Sequence, residues 1–427
     1  MNQRFRIIIQ PLDRIFTKHV RYLIVLLPLV VFVSLGVIYQ SSNSKEPDRP
    51  SSDKASGSAS FSTQLRDRCP PGFELTDSNT CECRHMYQQY KNLQGAGVGG
   101  LQAGLPEARD GFSPQQIDLG RLLFFDPVLS ADSSTSCASC HKPEKGFSDG
   151  RGRSMGMHEK PLQRGAPSLW NVAFKKSFFW DGRASTLEEQ MQEALFNGDE
   201  MGNTKDSLLA ALNNDQAYQL LFNEAYPENH GGQITLEEVY TALTAFQTSL
   251  ISLNSRYDQY AHGNHNALSE REIKGLNVFR SSVARCAECH TPPLFTNRQI
   301  AVIGAPAADG APFDEGAQAT FGDSSLRGGF KVPTLRNIAK TAPYMHSGAF
   351  TTLEGAIRFY NKGRGHAVPE GENLDLHWLI HNPDLKDKEV KQLVDFLKTL
   401  TDQRFKPQVP EQLPSGLPLV HKHKRSS

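Results

Sequence analysis

The sequence lacks an excess of charge of either sign. Its 427 residues include 46 Lys and Arg and 46 Asp and Glu, which gives a formal net charge of zero. Bulk charge therefore gives no reason to expect a nucleic-acid partner, and none is predicted. The sequence also lacks a sustained alternation of apolar and polar residues, which is the pattern of half-buried strands. The lack of alternation favours a mainly helical fold. The length of the chain allows two or three domains.

Long apolar runs are absent except for one near the N-terminus. Residues 22–39 are uncharged and apolar, and a membrane-spanning helix needs roughly 17–25 such residues. The basic segment before them, 1–21, favours a cytoplasmic N-terminus. A cleaved signal peptide would have a shorter apolar core and a small-residue cleavage site, which QSSNS at 40–44 does not offer. We therefore expect an uncleaved inner-membrane anchor and an exported remainder.

Cysteine is scarce, and four of the seven cysteines fall in two pentapeptides. Cys137–His141 reads CASCH and Cys286–His290 reads CAECH. A C-x-x-C-H run is the attachment signature of a c-type haem, in which the thiols bond to the vinyl groups and the His ligates the iron. A zinc ribbon would need its two knuckles within about 15–20 residues, and these two lie much farther apart. The sequence predicts two covalent haem c groups, attached at Cys137, Cys140, Cys286 and Cys289 and ligated by His141 and His290.

Two haem c groups imply redox chemistry or electron transfer, and in a bacterium they imply the periplasm. The other cysteines, Cys69, Cys81 and Cys83, lie in one short segment. They predict one disulfide in an oxidising compartment with one thiol left over, and the sequence leaves all three pairings open. The segment before them is rich in Ser, Pro and charge, which is typical of a flexible tether.

Three capping boxes mark predicted helix starts, at Ser113, Thr235 and Ser269. The first and third helices lead into the two haem motifs. The second is predicted to continue as one long helix to about Tyr260, and a last amphipathic helix is predicted over 385–400.

An internal repeat follows each haem motif. Residues 167–190 (PSLWNVAFKKSFFWDGRASTLEEQ) match 333–356 (PTLRNIAKTAPYMHSGAFTTLEGA) without a gap. Capping boxes at Ser185 and Thr351 predict matched helix starts. Two copies of one unit, each with its own haem, are the resulting prediction. The predicted segments are 1–21 (cytoplasmic), 22–39 (anchor), 40–68 (tether), 69–104 (Cys-containing), 105–265 and 266–404 (haem domains) and 405–427 (irregular tail).

The ungapped register suggests a difference between the copies. It aligns Tyr360 with Ala194. If the helix after each capping box passes over its haem, Tyr360 offers the second iron a phenolate oxygen, and Ala194 offers the first iron only a methyl group. An iron with an open face can bind peroxide, whereas one with two protein ligands is better suited to relaying electrons. From spacing alone, a half-buried helix aromatic remains the plainer interpretation of Tyr360.

The segment from about 109 to 400 resembles the bacterial di-haem cytochrome c peroxidase/MauG family. The resemblance rests on both C-x-x-C-H motifs and on FFWDGRASTLEEQ, FKVPTLRNIAKTAPYMHSGAFTTLEGA and FYNKG. It implies two cytochrome c-like domains, with a peroxidatic haem in the N-terminal domain. A higher-potential haem in the C-terminal domain would supply that haem with electrons.

The resemblance also implies roles for single residues. Trp180 matches the Trp between the haems, a plausible electron relay, and Gln190 and Glu200 match the distal pair above the peroxidatic haem. A carboxylate there can take a proton from bound peroxide and return it to the leaving oxygen. Tyr360 stands where standard peroxidases have an axial Met and MauG-like members have Tyr, and Met345 is the alternative ligand.

Two positions depart from the family pattern. The distal His in the loop after the first haem motif is replaced by Met157, with His158 following it. The Asn of the inter-domain calcium site is replaced by Gly165, although Thr341 and Pro343 match the carbonyl donors. We therefore expect either no calcium or calcium held with more water.

Three functions fit these features. The first is reduction of hydrogen peroxide with electrons from a small periplasmic cytochrome c or cupredoxin, and this is the function we expect. The second is MauG-like oxidation of a protein substrate through a high-valent state shared by both haems, which Tyr360 favours. The third is a membrane-tethered electron carrier without catalysis. The fold alone does not separate them, since one fold hosts several activities.

Overall fold

Helices make up most of the regular structure, as the sequence predicted. The computed structural model describes residues 64–84, 87, 105–308, 310–363, 366, 368–404 and 406–420. The helices are α1 (Pro114–Phe125), α2 (Cys137–Cys140), α3 (Leu187–Phe196), α4 (Lys205–Asn213), α5 (Gln216–Ala225), α6 (Leu236–Thr248), α7 (Arg256–Ala261), α8 (Glu270–Phe279), α9 (Cys286–Cys289), α10 (Ala317–Phe321), α11 (Leu353–Lys362) and α12 (Asp387–Lys398). Two antiparallel pairs are formed by β1 (Phe73–Leu75) with β2 (Cys81–Cys83) and by β3 (Ile300–Val302) with β4 (Gly329–Lys331).

The predicted membrane anchor, 22–39, lies outside the described residues, as do the cytoplasmic segment and most of the tether. Among the residues that are described, none of the helices combines the length and the apolar character that crossing a bilayer requires.

Two helix pairs organise the two halves of the described chain. In the N-terminal half, α1 packs against α6, and in the C-terminal half, α8 packs against α12. Each pair meets at a glycine. A Cβ on Gly120 would lie 1.8 Å from the carbonyl oxygen of Ala242, and a Cβ on Gly275 would lie 2.0 Å from that of Gln392. Only glycine allows this approach of the two backbones.

The capping boxes predicted at Ser113, Thr235 and Ser269 are present. The single long helix predicted from Thr235 to Tyr260 is wrong, because α6 ends at Thr248 and α7 begins only at Arg256.

Tertiary hydrogen bonds explain why that helix is interrupted. Asn171 donates from Nδ2 to the carbonyl of Ser252 and accepts the Ser252 N–H at Oδ1, over 3.1 and 2.8 Å. Asn337 donates to the Ser252 hydroxyl over 2.7 Å. Because these bonds use the backbone of Ser252, the segment between α6 and α7 cannot remain helical.

The helices α3 and α11 begin at matched positions of the sequence repeat, but the caps predicted at Ser185 and Thr351 are wrong by one residue. The N-caps are Thr186 and Thr352. The Thr186 hydroxyl accepts the backbone N–H of Glu189, and the Glu189 carboxylate accepts the N–H of Thr186 in return. Each of the two helix starts has two adjacent hydroxyl residues, and the second of them is the N-cap.

The two copies of the repeat have the same backbone conformation. Asn171 and Asn337 are both left-handed, with φ of 60° and 58°, and Gly182 and Gly348 have φ of 80° and 69°. An antiparallel bridge closes the same turn in each copy, at Phe178–Ala184 and at Tyr344–Phe350. The segments after the two haem motifs are therefore built on one plan.

The Cys-containing segment is fixed by a disulfide within it and by a hydrogen bond to α7. Cys69 and Cys81 form a disulfide, which settles the open pairing, and Cys83 is buried outside that bond. Tyr87 donates its hydroxyl to Asp258, which also pairs with the buried guanidinium of Arg336. Cys83 and Tyr87 therefore form part of the buried core of the protein.

The predicted tail has no helix or strand in its described part, 406–420. It nevertheless packs on the N-terminal half. Leu413 and Leu419 are buried in the core formed by α1 and α3 to α6. Ser415 donates its hydroxyl to Asp126 over 2.7 Å.

Candidate active site

Each C-x-x-C-H motif forms one short helical turn, α2 or α9. The N–H of His141 donates to the carbonyl of Cys137, and the N–H of His290 donates to that of Cys286, both over 2.9 Å. Positions three and four residues apart share a helix face. The turn therefore brings the first thiol of each motif close to the second thiol and to the imidazole, which is the grouping that covalent haem attachment uses.

The two motif histidines are oriented in the same way. Nδ1 of His141 lies 2.8 Å from the carbonyl oxygen of Phe147, and Nδ1 of His290 lies 3.2 Å from that of Phe295. A carbonyl can only accept, so Nδ1 carries the proton and Nε2 keeps a lone pair for a metal. Burial lowers the pKa of His141 and lowers that of His290 to about 4, which keeps both rings neutral. This donor set fits haem iron.

One cavity of about 670 Å³ connects the two motifs. Cys140 and His141 line it at one end, and Cys286, Cys289 and His290 line it at the other. Of the remaining site residues predicted from the sequence, Cys137 does not line the cavity. The others do: Trp180, Gln190, Glu200, Thr341, Pro343, Met345 and Tyr360. The structure thus brings together residues that are more than two hundred positions apart in the chain.

Trp180 is fixed from both halves of the molecule. Its Nε1 donates to the carbonyl oxygen of Gly165 over 2.8 Å. Its own carbonyl accepts the N–H of Lys331, in β4, over 2.7 Å. Gly165 in turn donates its N–H to the carbonyl of His346 over 3.0 Å.

Glu200 lies in the turn after α3, half-buried on the side of the first motif. Burial raises the pKa of its carboxyl, although the nearby charge of Arg183 opposes the shift. Asn197 donates to Glu200 Oε1 over 3.4 Å. Glu200 lines the same cavity as Cys140. Burial, followed by the charges of Asp149 and Glu200, raises the pKa of the Cys140 thiol to about 12.

Tyr360 lies on α11 at the other end of the cavity. Burial, followed by the charges of the Cys289 and Cys286 thiols, raises the pKa of its hydroxyl. Its hydroxyl forms no hydrogen bond with any residue that the structure describes. Met345, the alternative ligand, also lines the cavity and has a left-handed backbone with φ of 71°.

The two departures from the family pattern have structural counterparts. Met157 is buried, with its sulfur against Gly202, whereas His158 is exposed and does not line the cavity. A Cβ on Gly165 would lie 2.8 Å from the carbonyl oxygen of Arg151, so no Asn fits there without a backbone shift. The described residues contain no cluster of three or more His, Cys, Asp or Glu side chains that could hold a metal ion.

A buried ion-pair cluster beside Trp180 is not apparent from the sequence. Arg164 binds Asp181 over 2.6 Å and Asp314 over 2.7 Å, and all three side chains are about nine-tenths buried. The guanidinium of Arg164 also lies 5.3 Å from the ring centroid of Phe330. Because Asp314 is 150 positions away from Arg164, no local pattern predicts the pair.

Arg183 is a second residue that sequence reasoning missed. It lines the cavity, and its charge opposes the rise in the pKa of Glu200. Its guanidinium lies 3.4 Å from the ring centroid of Phe179 and donates to Glu193 and Asp181. In sequence it is one of many charged residues in a polar turn.

Comparisons with known proteins identify the family of the chain. The family model described as di-haem cytochrome c peroxidase matches residues 114–266. The methylamine utilization protein MauG of Methylorubrum extorquens is 35% identical over 288 residues, which are 67% of this chain and 78% of that protein. The cytochrome c551 peroxidase of Nitrosomonas europaea is 32% identical over 292 residues, which are 66% of this chain and 79% of that protein.

A solved structure shows the same fold. The crystal structure of a MauG-like protein associated with microbial copper homeostasis is 34% identical, with a TM-score of 0.62, and covers 68% of this chain and 91% of that one. With two C-x-x-C-H turns at the ends of one cavity and relatives of this similarity, the chain belongs to the di-haem cytochrome c peroxidase/MauG family and is an oxidoreductase.

Proposed function

We propose that this protein is a di-haem c-type peroxidase that reduces hydrogen peroxide with electrons from a small periplasmic cytochrome c or cupredoxin. The difference between the two ends of the cavity carries the proposal. The end at His141 has an amide and a carboxyl group of raised pKa, Gln190 and Glu200. The end at His290 has the phenol of Tyr360. A proton-transfer group belongs where peroxide binds, and a second protein ligand belongs where electrons are stored.

In this proposal the two halves are two cytochrome c-like domains that arose by duplication, each with a covalently attached haem c. His290 and Tyr360 would hold the haem that receives electrons, His141 would hold the haem that reacts with peroxide, and Trp180, which lines the same cavity, would relay electrons from one to the other. Bound haem supplies the redox-active iron at which peroxide is reduced. The matched backbone of the two repeats supports the duplication.

The residues of the chain supply the proton transfers. Glu200 accepts a proton from peroxide and returns it to the oxygen that leaves as water, and two electrons and two protons in total convert one peroxide to two waters. Gln190 has an amide that can orient peroxide by hydrogen bonding. Arg183 limits the rise in the pKa of Glu200, so that the carboxyl can both accept and release a proton.

Tyr360 favours a second candidate, MauG-like oxidation of a protein substrate. A phenolate ligand in place of a thioether would stabilise the oxidised form of the C-terminal iron. A non-catalytic electron carrier would have no use for a half-buried acid at the first motif.

We also propose that the anchor at 22–39 tethers the protein to the inner membrane, with the catalytic part in the periplasm. The basic segment before the anchor supports this orientation. The Cys69–Cys81 disulfide supports an oxidising compartment.

Peroxide-dependent oxidation of a reduced small c-type cytochrome by the purified full-length protein tests the proposal. Haem spectra are recorded throughout the reaction. Rapid turnover supports the peroxidase. Slow turnover with long-lived spectra of oxidised haem supports oxidation of a protein substrate. Haem spectra that do not change with peroxide would contradict both enzymatic functions and support an electron carrier.

A further inference from the structure

Two of the three lysines that line the cavity, Lys175 and Lys331, are half-buried, whereas Lys176 is exposed. Lys175 follows the turn Val172–Phe174 in the first copy of the repeat, and Lys331 ends β4 in the second half. The ammonium group of Lys175 donates to the carbonyl oxygen of Ser168 over 3.1 Å. That of Lys331 donates to the carbonyl oxygen of Ser177.

These two cations have no anionic partner in the described part of the chain. Their ammonium groups bond only to backbone carbonyls there. Burial lowers the pKa of Lys175 to about 8. Burial, followed by the charge of Lys175, lowers the pKa of Lys331 to about 7, although the more distant charge of Asp181 opposes the shift. Because a charge that is largely withdrawn from water is costly unless it is paired, these two ammonium groups are suited to binding an anionic ligand.

Two arginines next to this region, Arg164 and Arg183, do not share this property. Arg164 is paired with Asp181 and Asp314, and Arg183 is paired with Asp181 and Glu193. Since the chain neutralises these guanidinium groups itself, the lysines are left for a ligand that enters the cavity.

We propose that Lys175 and Lys331 bind carboxylate groups of the ligand in this cavity, and that these carboxylates are haem propionates. The inference rests on the proposed haem binding. The ammonium group of Lys175 bonds to Ser168, whose hydroxyl donates to the carbonyl oxygen of Gly146 over 2.7 Å. Gly146 precedes the residue whose carbonyl holds Nδ1 of His141, which places Lys175 near the first haem. Lys331 is adjacent to Trp180 through the backbone bond between them, which places it in the region between the two motifs.

This pairing would set the redox properties of the haems. An ammonium group beside a propionate offsets its negative charge. Without the cation, the uncompensated carboxylate stabilises the ferric state, which carries one more positive charge than the ferrous state. Loss of either lysine should therefore lower a haem midpoint potential.

The test is a spectroelectrochemical titration of both haems in the full-length protein. We expect Lys175→Gln to lower the midpoint potential of the N-terminal haem and Lys331→Gln to lower that of one or both haems. Lys175→Arg and Lys331→Arg, which keep the charge, should stay near the wild-type values. Lys340→Gln is the control, because Lys340 is exposed and does not line the cavity.

Unchanged potentials in both Gln variants would overturn the pairing while leaving haem binding intact. A wild-type protein without haem spectra would instead overturn the proposed function. If a Gln variant fails to incorporate haem and the matching Arg variant succeeds, the charge is required and the proposal stands. If both fail, the position needs the shape of lysine rather than its charge, and the proposal falls.

Discussion

Trp180 donates its indole N–H to the carbonyl oxygen of Gly165, with 2.8 Å between the two heavy atoms. The residues next to this pair in the chain, Arg164 and Asp181, form an ion pair of their own. Arg164 also holds Asp314 from the other half. The residue proposed to relay electrons is therefore fixed by a buried cluster that joins both halves.

Removing the central cation of this cluster should be costly. Arg164→Met leaves the buried carboxylate of Asp314 without its partner and leaves Asp181 paired with Arg183 alone. Breaking a buried pair typically lowers the free energy of unfolding by about 3–5 kcal/mol. Chemical denaturation measures the loss. Arg271→Met is the control, since its partner Asp395 lies at the surface and exposed pairs contribute only about 0–1 kcal/mol. Equal effects of the two substitutions would contradict the role of the cluster.

Electron transfer gives a second readout for the same variant. If the cluster positions Trp180, Arg164→Met should slow electron transfer between the two haems in stopped-flow measurements. Arg164→Lys keeps a charge but cannot reach both carboxylates with a planar fork, so an intermediate rate is expected.

Glu200→Gln tests the proton-transfer role. The variant should still bind peroxide but cleave it about 10²–10⁴-fold more slowly, because the amide cannot accept and return the proton. Rapid mixing with hydrogen peroxide measures both steps. Glu237→Gln, an exposed carboxylate on α6, is the matched control. Unchanged turnover in Glu200→Gln would remove Glu200 from the mechanism.

Tyr360→Phe tests the second axial ligand. If the phenol ligates the C-terminal iron, this variant should change the axial-ligand features in the spectrum of that haem. Met345→Leu, at the other candidate position, should leave them unchanged. The opposite outcome would assign the ligand role to Met345.

Stability should fall in acid because of the buried pair between Asp258 and Arg336. Burial alone would raise the pKa of Asp258, but the charge and hydrogen bonds of Arg336 outweigh it and hold the pKa below the usual 3.8. A lowered folded-state pKa stabilises the protein above the unfolded-state value, and this stability is lost as the pH falls through the folded-state value.

We therefore expect the free energy of unfolding to decline between roughly pH 5 and pH 2, as measured by urea denaturation at each pH. In Asp258→Asn it should be lower at neutral pH, because Arg336 is left as a buried charge, and less dependent on pH in the acid range. Asp77→Asn, an exposed position, is the control. An acid profile in Asp258→Asn identical to that of the wild type would contradict this origin.

Local signals made much of the structure predictable. The C-x-x-C-H turns depend on spacing within five residues, and the caps at Ser113 and Ser269 depend on spacing within four. The repeat and the resemblance then located the cavity residues, including Glu200, whose polar turn alone suggested a surface carboxylate.

Features that depend on tertiary contacts could not be predicted. The break after α6 exists because Asn171, far earlier in the chain, bonds to the backbone of Ser252. The ion pair of Arg164 with Asp314 and the proximity of Lys175 to Lys331 likewise involve residues that are far apart in the sequence. No sequence window contains both members of any of these pairs.

The path of the C-terminal tail means that the two halves cannot be separated by a single cut. Leu413 and Leu419 follow the last helix in sequence but fill the core of the N-terminal half. A fragment that ends after α6 would expose the apolar surface that these leucines cover, and the complementary fragment would carry them unburied. Dissecting the molecule into single-haem pieces therefore requires transplanting residues 406–420 onto the first piece.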